Sequence, residues 1–482
     1  MRSRSGIVAA LVAFGCGAQT SPESSDAGDG VCTPALADSL TADGLREHLA
    51  ALSELAAEHG GNRAAGTAGY DASLDYVEGR LEAAGYAVSR RAFEYPEYVF
   101  YGPSALEQRA PEPVVYAEGV DFFAARFSGA GDVTAPARAV DIALDDPTAS
   151  TSGCEPEDFD ALLPGEIAVV QRGRCYFRDK AENAQAAGAV AVVIFNADAE
   201  DPDAFPSSLG SSADVDIPVV ITSLPIGQAF VAAEALTLRV AVDGATETRT
   251  SHNLVAERDV GDPDDVIMLG AHLDSVPEGA GINDNGSGSA LVLALAEGLA
   301  ACASTRRLRF AWWGAEELGL WGSTRYVGSL DDDARARLTA YLNFDMVASP
   351  NHVRYVYDGS PDGGAPPGSE VIEARLREAF MAIDDAPVAS TGLGGRSDYW
   401  AFQEAGVPVG GLFTGAEALK TEAQAADYGG EVGAPLDPCY HSACDDLDNV
   451  DVDALLLMAR VAADAVTQLA GDDAPLVLAP EG

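Results

Sequence analysis

The segment of residues 268–288 constrains the fold more than any other part of the chain. An unbroken apolar run at 266–269 leads into it, which is typical of a buried strand in a parallel sheet. His272 comes where that strand ends, the edge at which open α/β sheets place their sites. A loop carrying Asp284 follows, and then an apolar helix at 290–296. The segment predicts an α/β fold in which an imidazole and a carboxylate enter one pocket, the beginning of a metal site.

Strands and helices alternate on both sides of this segment. The spacing of apolar residues predicts each element, and glycines mark the ends of the first two helices. The first strand has both polar and apolar residues, as is typical of an exposed or edge strand. The predicted helices are 45–58, 70–84 and 450–469, and the predicted strands are 86–93, 251–257, 307–313, 340–347 and 407–413. The apolar helix at the end of this series is expected to pack on the sheet.

Three further candidate ligands arise on separate loops or strand ends. Glu316 and Glu317 follow a predicted strand, so that one carboxylate can bind a metal while its neighbour faces a bound water. Asp345 lies in an apolar context, where a lone carboxylate is costly to bury unless it is paired or metal-bound. His441 lies in a loop that a disulfide is expected to close. The candidate metal ligands are His272, Asp284, Glu317, Asp345 and His441.

The sequences around these residues resemble those of the co-catalytic dizinc aminopeptidases, of the bacterial secreted leucyl and yeast vacuolar aminopeptidase Y type. The matching stretches read Gly-Ala-His-Leu-Asp-Ser, Gly-Ile-Asn-Asp-Asn-Gly-Ser-Gly, Trp-Gly-Ala-Glu-Glu, Asn-Phe-Asp-Met and Cys-Tyr-His. The resemblance runs from about residue 38 to 470. It implies a zinc-exopeptidase fold, with a mixed, mostly parallel central sheet flanked by helices.

The resemblance also implies a role for each site residue. Two zinc ions per chain would be shared out as His272, Asp284 and Glu317 for one, and Asp284, Asp345 and His441 for the other. Glu316 would be the general base toward a dizinc-bound hydroxide, and Tyr440 would donate to the tetrahedral intermediate. Imidazole and carboxylate ligands without a thiolate suit zinc.

Two residues near these ligands have supporting roles in this interpretation. Asp274 is a natural partner for the ring N–H of His272. The stretch 394–399 resembles a substrate-side loop of the family, in which Arg396 contacts the bound residue, although a structural ion pair explains Arg396 equally well. Glu316 and Asp345 are the candidates to recognise the free α-ammonium group of a substrate.

The region from about residue 101 to 247 has a different texture, with short β-like runs separated by proline, glycine and aspartate. Its central part, a strand at 167–171, a helix at 179–187 and a strand at 188–196, resembles the protease-associated domain, a small module of many exported peptidases. The predicted organisation is a signal and tether at 1–32, a peptidase domain in two parts at 33–100 and 248–470, the inserted β-rich domain at 101–247, and a tail at 471–482.

The N-terminus has the features of an export signal. Arg2 and Arg4 precede an apolar stretch at 7–14 that is too short to span a bilayer. Cys16 after a glycine also resembles a lipoprotein acylation site, with the Ser/Asp/Gly-rich residues 19–30 as a tether. The mature protein is therefore expected to be exported, and to be either secreted or lipid-anchored at the cell envelope.

Export makes disulfides feasible, and six of the seven cysteines remain if Cys16 is lipidated or removed. Sequence alone allows fifteen connectivities for six cysteines. The pairings expected from position in the chain, the third by elimination only, are Cys439 with Cys444, Cys154 with Cys175, and Cys32 with Cys302.

The charge of the chain limits its partners. A formal net charge of −47 over 482 residues argues against binding to nucleic acid or to anionic lipid. Membrane attachment is expected only through lipid on Cys16, and the chain is expected to be a monomer. The acidity leaves calcium open as an additional ion, although no EF-hand pattern is present.

The leading hypothesis is an exported aminopeptidase that removes N-terminal residues, preferably apolar ones, from peptides with a free N-terminus. A dizinc carboxypeptidase or dipeptidase is the first alternative. Such enzymes need several arginines near the site to bind the substrate carboxylate, and only Arg396 is an obvious candidate here. Glutaminyl cyclases share the fold but use one zinc. A non-catalytic binding relative is disfavoured because the ligand set and Glu316 are intact.

Overall fold

The computed structural model describes residues 35–145, 149–197, 208–211, 213–383 and 387–471. The predicted signal, with Cys16 and Cys32, and the predicted tail after residue 471 lie outside the described residues. Within them the helices are α1 (Ala35–Ser39), α2 (Ala42–Glu58), α3 (Ala68–Ala83), α4 (Phe177–Ala186), α5 (Leu224–Ala232), α6 (Gly288–Leu299), α7 (Trp321–Gly328), α8 (Asp332–Ala336), α9 (Ser369–Ile383), α10 (Tyr399–Glu404), α11 (Glu422–Tyr428) and α12 (Val452–Gly471).

The strands form two sheets. The strands are β1 (Ala87–Phe100), β2 (Ala105–Ala110), β3 (Val114–Val115), β4 (Phe122–Ala124), β5 (Gly131–Ala139), β6 (Ile167–Gln171), β7 (Ala191–Phe195), β8 (Val219–Thr222), β9 (Thr237–Val242), β10 (Gly244–Glu257), β11 (Asp262–His272), β12 (Arg306–Trp313), β13 (Leu338–Phe344), β14 (Tyr355–Tyr357), β15 (Ala389–Thr391) and β16 (Val409–Phe413). Every helix and strand predicted from the sequence is present. Most ends shift by a few residues, but β1 ends seven residues later and β10 begins seven residues earlier than predicted.

The larger sheet has the strand order β1-β10-β12-β11-β13-β16-β14-β15. Its centre is parallel, because β11 pairs in parallel with both β12 and β13, and β13 pairs in parallel with β16. Antiparallel pairs join β1 to β10, β10 to β12 and β14 to β16. The predicted mixed α/β sheet is confirmed, with β1 at its edge as expected.

Apolar helices cover this sheet. Helix α6 is buried almost along its whole length, and it packs on β11 beside α2, α3 and α12. Helix α12 is long and apolar enough to cross a membrane, yet 67% of its most apolar window is buried inside the protein. Its contacts with α9, α1 and α2 make it a core helix, as its composition predicts.

A long antiparallel ribbon connects the larger sheet to the inserted region. Strands β1 and β10 pair from Ala87 with Glu257 to Phe100 with Gly244. The predicted domain boundary at residue 247 lies inside β10, because this strand runs without a break from one region into the other. The inserted region forms the second sheet, in the order β3-β2-β9-β5-β6-β7-β8-β4, together with α4 and α5.

Two of the expected disulfides are present. Cys154 is bonded to Cys175 and Cys439 to Cys444, with Cα atoms 5.7 and 5.3 Å apart. Cys302 forms no disulfide with any described cysteine. Its expected partner, Cys32, lies outside the described residues, so that pairing stays a prediction.

Candidate metal centre

The five candidate ligands converge at one edge of the larger sheet. His272 is the last residue of β11, Glu317 follows β12, and Asp345 follows β13. These three strands are parallel neighbours, so their carboxyl ends meet at the same edge. Asp284 and His441 reach the same point from loops. The structure thus brings together all five residues that the sequence predicts as ligands.

Their side chains form two trios that share Asp284. In the first trio, His272 Nε2 lies 3.3 Å from Asp284 Oδ1 and 3.4 Å from Asp345 Oδ1. In the second, His441 Nε2 lies 3.3 Å from Asp284 Oδ2 and 3.0 Å from Glu317 Oε2. The ligand atoms within each trio all lie within 4.8 Å of one another.

This grouping corrects the predicted division of ligands. Glu317 was expected beside His272 and Asp345 beside His441, whereas the structure exchanges the two carboxylates. The reason is the register of the sheet: Asp345 directly follows β13 at the end of β11, whereas Glu317 lies four residues beyond Trp313, the β12 partner of His272, and extends toward the loop of His441. Asp284 keeps the shared position that the sequence predicts for it.

The backbone around Asp284 is held by a carboxylate on another loop. Asp445 accepts hydrogen bonds from the backbone N–H groups of Asn283 and Asp284, at 2.8 and 2.9 Å. The Asn283 side chain donates to Asp437, at 2.7 Å. The loop that carries Asp284 is therefore bound directly to the segment that carries His441.

His441 is one of the four residues between Cys439 and Cys444. Its backbone has a positive φ of 53°, and its ring stacks on Tyr440 with the ring centroids 3.8 Å apart. Burial raises the pKa of the Tyr440 hydroxyl, and the carboxylates of Asp284 and Glu317 raise it further. Tyr440 is therefore protonated at neutral pH and can donate a hydrogen bond into the pocket.

Asp274 lies against the His272 ring, as expected, but the contact is made by its backbone carbonyl. His272 Nδ1 lies 3.0 Å from the backbone carbonyl of Asp274, while the Asp274 carboxylate is 3.7 Å away. That carboxylate accepts hydrogen bonds from the backbone N–H groups of Glu316 and Glu317, at 3.2 and 3.4 Å. Asp274 thus links the histidine strand to the glutamate loop, and its carbonyl fixes the imidazole.

The buried carboxylates repel one another. Burial raises the pKa of Glu316 well above its ordinary value, and the carboxylates of Asp345, Glu317 and Asp398 add to this although His272 opposes it. Burial also raises the pKa of Glu317 to about 7. Burial works in the same direction at Asp284, but the hydrogen bonds from the two histidines outweigh it and lower that pKa.

The site therefore fits a cation, and the fit is visible in its unsatisfied atoms. Glu317 Oε1 and Asp345 Oδ1 are buried and accept no hydrogen bond from any described residue. Buried lone pairs of this kind are normally paired or metal-bound. Imidazole nitrogens with carboxylate oxygens are a ligand set that zinc takes, with three protein ligands in each trio.

Sequence reasoning missed several residues that contact the ligands. Ser397 Oγ donates to Asp345 Oδ2, at 2.6 Å, and Asn343 in turn donates to Ser397 at 2.8 Å. The neighbouring Asp398 is buried, and burial raises its pKa to about 7. The position of Asp445, directly after Cys444, is the one local sequence feature that could have indicated its role. Ser397 and Asp398 have no comparable feature, because a polar residue in a loop does not reveal a partner that is distant in the chain.

The pocket at the trios has both apolar and polar lining residues. Met346, Tyr357, Tyr399 and Phe413 are among the apolar and aromatic ones. Arg396 also lines the pocket, and its guanidinium donates to Glu417 at 2.8 Å and to the Tyr440 hydroxyl at 3.4 Å. Arg396 is therefore in the pocket and also in the ion pair that was its alternative interpretation.

The fold and the site together define a metallopeptidase: a mixed α/β sheet whose parallel strand ends present two trios of imidazole and carboxylate ligands beside an unliganded glutamate. Comparison with known proteins agrees with this class. The sequence profile of Peptidase family M28 matches residues 253–466, and that of the PA domain matches residues 133–230. The chain belongs to peptidase family M28, with an inserted protease-associated domain.

Individual relatives extend this result. An aminopeptidase of Pseudomonas aeruginosa is 46% identical over 421 residues, which are 86% of this chain and 78% of the relative. A probable lipoprotein aminopeptidase of Mycobacterium tuberculosis is 40% identical, over 87% of this chain and 83% of the relative. The solved structure of a zinc aminopeptidase from Bacillus subtilis superposes with a TM-score of 0.65 at 26% identity, over 89% of this chain and 95% of that chain. Neither these comparisons nor the described residues support a calcium ion.

Proposed function

We propose that this chain is an exported aminopeptidase that binds two zinc ions and hydrolyses the N-terminal peptide bond of peptides. The observation that carries the proposal is the pair of trios that share Asp284, with Glu316 beside them and outside both. The proposal is supported by the Pseudomonas protein, which is an aminopeptidase, and by the Bacillus protein, which is a zinc aminopeptidase. The division into peptidase parts at 33–100 and 248–470, with an insertion at 101–247, belongs to the same proposal.

When bound, the two zinc ions supply Lewis acidity toward the scissile carbonyl and lower the pKa of water. The residues of the chain do the rest. Glu316 accepts the proton of the attacking water and passes it to the leaving amine, because its carboxylate lines the same pocket as the two trios and belongs to neither. The Tyr440 hydroxyl donates to the oxygen that becomes negative in the transition state.

The substrate's free amino group explains the acidity of the pocket. An α-ammonium group placed near Glu316 and Asp345 lies among carboxylates that repel one another, so its charge is favourable there. A carboxypeptidase needs cationic groups instead. Apart from the two histidines, Arg396 is the one cationic side chain among the described residues that line the pocket, and it is already paired with Glu417.

The apolar residues that line the pocket support a preference for apolar N-terminal residues. A leucine or phenylalanine side chain placed against Met346, Tyr357 and Phe413 leaves water, which contributes about 25 cal/mol per Å² of buried apolar surface. A charged side chain gains no such free energy from contact with these apolar residues, and it loses hydration.

Export to the cell envelope is supported by the disulfides and by the lipoprotein relative from Mycobacterium tuberculosis. We propose that the mature chain acts as a monomer on peptides, either free or anchored through lipid on Cys16. Labelling with a fatty-acid analogue in wild type and Cys16→Ala distinguishes the two forms: label lost only in the variant supports the anchor, and unlabelled wild type supports the secreted form.

The function is tested with leucine p-nitroanilide beside its N-acetylated form, with zinc counted per chain by mass spectrometry. We expect cleavage of the free-amine substrate only, with about two zinc ions per chain. A panel of p-nitroanilides of leucine, phenylalanine, lysine and glutamate tests the apolar preference. Equal cleavage of the acetylated compound contradicts the aminopeptidase proposal, and an inactive chain with no zinc favours the binding-relative alternative.

A further inference from the structure

Arg63 is a fully buried arginine between helices α2 and α3, at 0% exposure. It lies far in sequence from every candidate ligand, and none of the roles proposed above involves it. A guanidinium group is costly to remove from water unless its donors and its charge are both satisfied. The partners of Arg63 therefore show what this buried charge does.

All the hydrogen-bond partners of Arg63 lie in one segment, residues 273–281. Its guanidinium donates to the backbone carbonyl of Leu273, to that of Ala280 at 2.9 Å and to that of Gly281 at 2.6 Å. Its backbone N–H donates to Ser275 Oγ, at 2.9 Å, and its carbonyl accepts from the Ser275 N–H, at 3.3 Å. One side chain thus ties the start of this segment to its end.

This segment separates two of the candidate ligands. His272 directly precedes it, and Asp284 follows it by three residues. Gly281 is left-handed, with φ at 63°, and a Cβ there would lie 2.5 Å from the Ser275 Cβ and 3.3 Å from Arg63 Nη2. The segment is therefore closely packed around the guanidinium, and its two ends cannot move independently while Arg63 holds them.

The charge of Arg63 is also placed for the site. Burial lowers its pKa to about 10, and the carboxylates of Asp274, Asp445, Asp284 and Glu317 oppose that effect in decreasing order. The guanidinium is thus protonated at neutral pH, and it is not among the residues that line the pocket. Its positive charge reduces the mutual repulsion of these carboxylates.

We propose that Arg63 is a positioning residue for the metal centre, holding the shared Asp284 in register with His272 through the fork of its guanidinium. This inference rests on the proposed function, because it concerns the zinc ions that the two trios bind. A lysine retains the charge but lacks the rigid planar fork that presents separate nitrogens to the carbonyl groups at the two ends of the segment. Geometry, rather than charge alone, is therefore the property to test.

The test compares Arg63→Lys with wild type and with the matched control Arg306→Lys. Arg306 is equally buried, at 1% exposure, and its guanidinium donates to the carbonyl of Leu469 at 2.6 Å and to Asp265 at 2.9 Å. It is the first residue of β12, whereas the ligands lie at the carboxyl ends of the strands. Both variants replace a buried fork with a single amine, but only one of them touches the metal-binding segment.

The main readout is zinc bound per chain at 25 °C in metal buffers of graded free zinc, measured by mass spectrometry on folded protein. Mutation of residues that orient metal ligands typically lowers metal affinity about 10- to 100-fold. We therefore expect Arg63→Lys to raise the half-saturating free zinc concentration by about that factor. Arg306→Lys is expected to stay within about threefold of wild type while its thermal midpoint falls. A merely structural role for Arg63 would lower the midpoint of unfolding and leave the zinc curve in place.

Each outcome decides the matter. An unchanged zinc curve for Arg63→Lys, or an equal shift for both variants, overturns the positioning role and leaves the proposed function intact. Absence of zinc binding by wild type overturns both. If Arg63→Lys does not fold, Arg63→Gln replaces it, because glutamine leaves no unpaired charge in the core and lacks the fork that joins the two ends of the segment. A rise of about tenfold in half-saturating zinc then supports the proposal, and an unchanged curve overturns it.

Discussion

Replacing Glu316 by glutamine tests the proposed general base separately from the proposed metal ligands. Glutamine has the same shape, and the Glu316 backbone N–H that donates to Asp274 is retained. Neither trio includes Glu316, so zinc binding should persist. A positioned general base contributes roughly 10²- to 10⁴-fold to a rate. At about 1.4 kcal/mol per tenfold, this is a loss of roughly 3–5 kcal/mol of transition-state stabilisation.

The structure indicates where that loss should appear. The amide of glutamine cannot take a proton from water, while the apolar lining residues of the pocket and the proposed metal ligands are unchanged. We therefore expect kcat on leucine p-nitroanilide to fall by roughly 10²- to 10⁴-fold with KM within about threefold of wild type. Zinc per chain, counted on the same samples, should match wild type.

The controls are two other glutamates. Glu278 is exposed on the segment between His272 and Asp284, so Glu278→Gln should keep both activity and zinc. Glu317→Gln should lose zinc together with activity, because Glu317 belongs to the second trio. The reasoning fails if Glu316→Gln retains more than about a tenth of wild-type kcat, or if its loss of activity is accompanied by loss of zinc.

Three further predictions concern the residues around the site and the inserted domain. Tyr440→Phe removes a transition-state donor and should lower kcat by roughly 10²- to 10³-fold with little change in KM; parallel changes in both constants would contradict this. Replacing Cys439 and Cys444 by serine should cost about 2 kcal/mol of unfolding free energy in urea and most of the activity, because the loop loses its closure; a fully active double variant would refute the link. Burial lowers the pKa of Lys180 from 10.5 to about 8, so between these values the unfolded state binds more protons and wild-type stability should rise with pH. The rise is at most about 3 kcal/mol, less after solvent screening, and Lys180→Met should lack it in urea unfolding at pH 7.5 and 10.5; parallel profiles would contradict the assignment.

Much of the site could be predicted from local sequence because each ligand is marked by its immediate surroundings. His272 and Glu317 follow apolar strands, and an aspartate such as Asp345 beside an apolar strand needs a cation or a partner. Parallel strands end at a common edge, so the order of elements already brings such residues together. The same local reasoning predicted the disulfides of Cys154 with Cys175 and Cys439 with Cys444, whose partners are near in the chain.

Residues whose partners are distant could not be found in this way. Arg63 donates to carbonyl groups about 210 residues further along the chain, and Asp445 accepts from backbone groups about 160 residues before it. Ser397 binds Asp345 across 52 residues. A lone arginine, aspartate or serine in a loop has no pattern of its own, because the backbone groups that it satisfies carry no sequence signature.

The sequence by itself determined the class of fold, the family and the chemical types that meet at the site. The class of fold follows from strand and helix periodicity, and the family from the resemblance of short sequence runs to known aminopeptidases. The chemical types follow from the residues that those runs contain. Only the tertiary structure decided that Asp345 lies with His272 and Glu317 with His441, and that a buried arginine holds the segment before Asp284. The physical reason is that ligand grouping depends on distances of a few ångströms between separate loops, which the register of the sheet and the packing of its loops set.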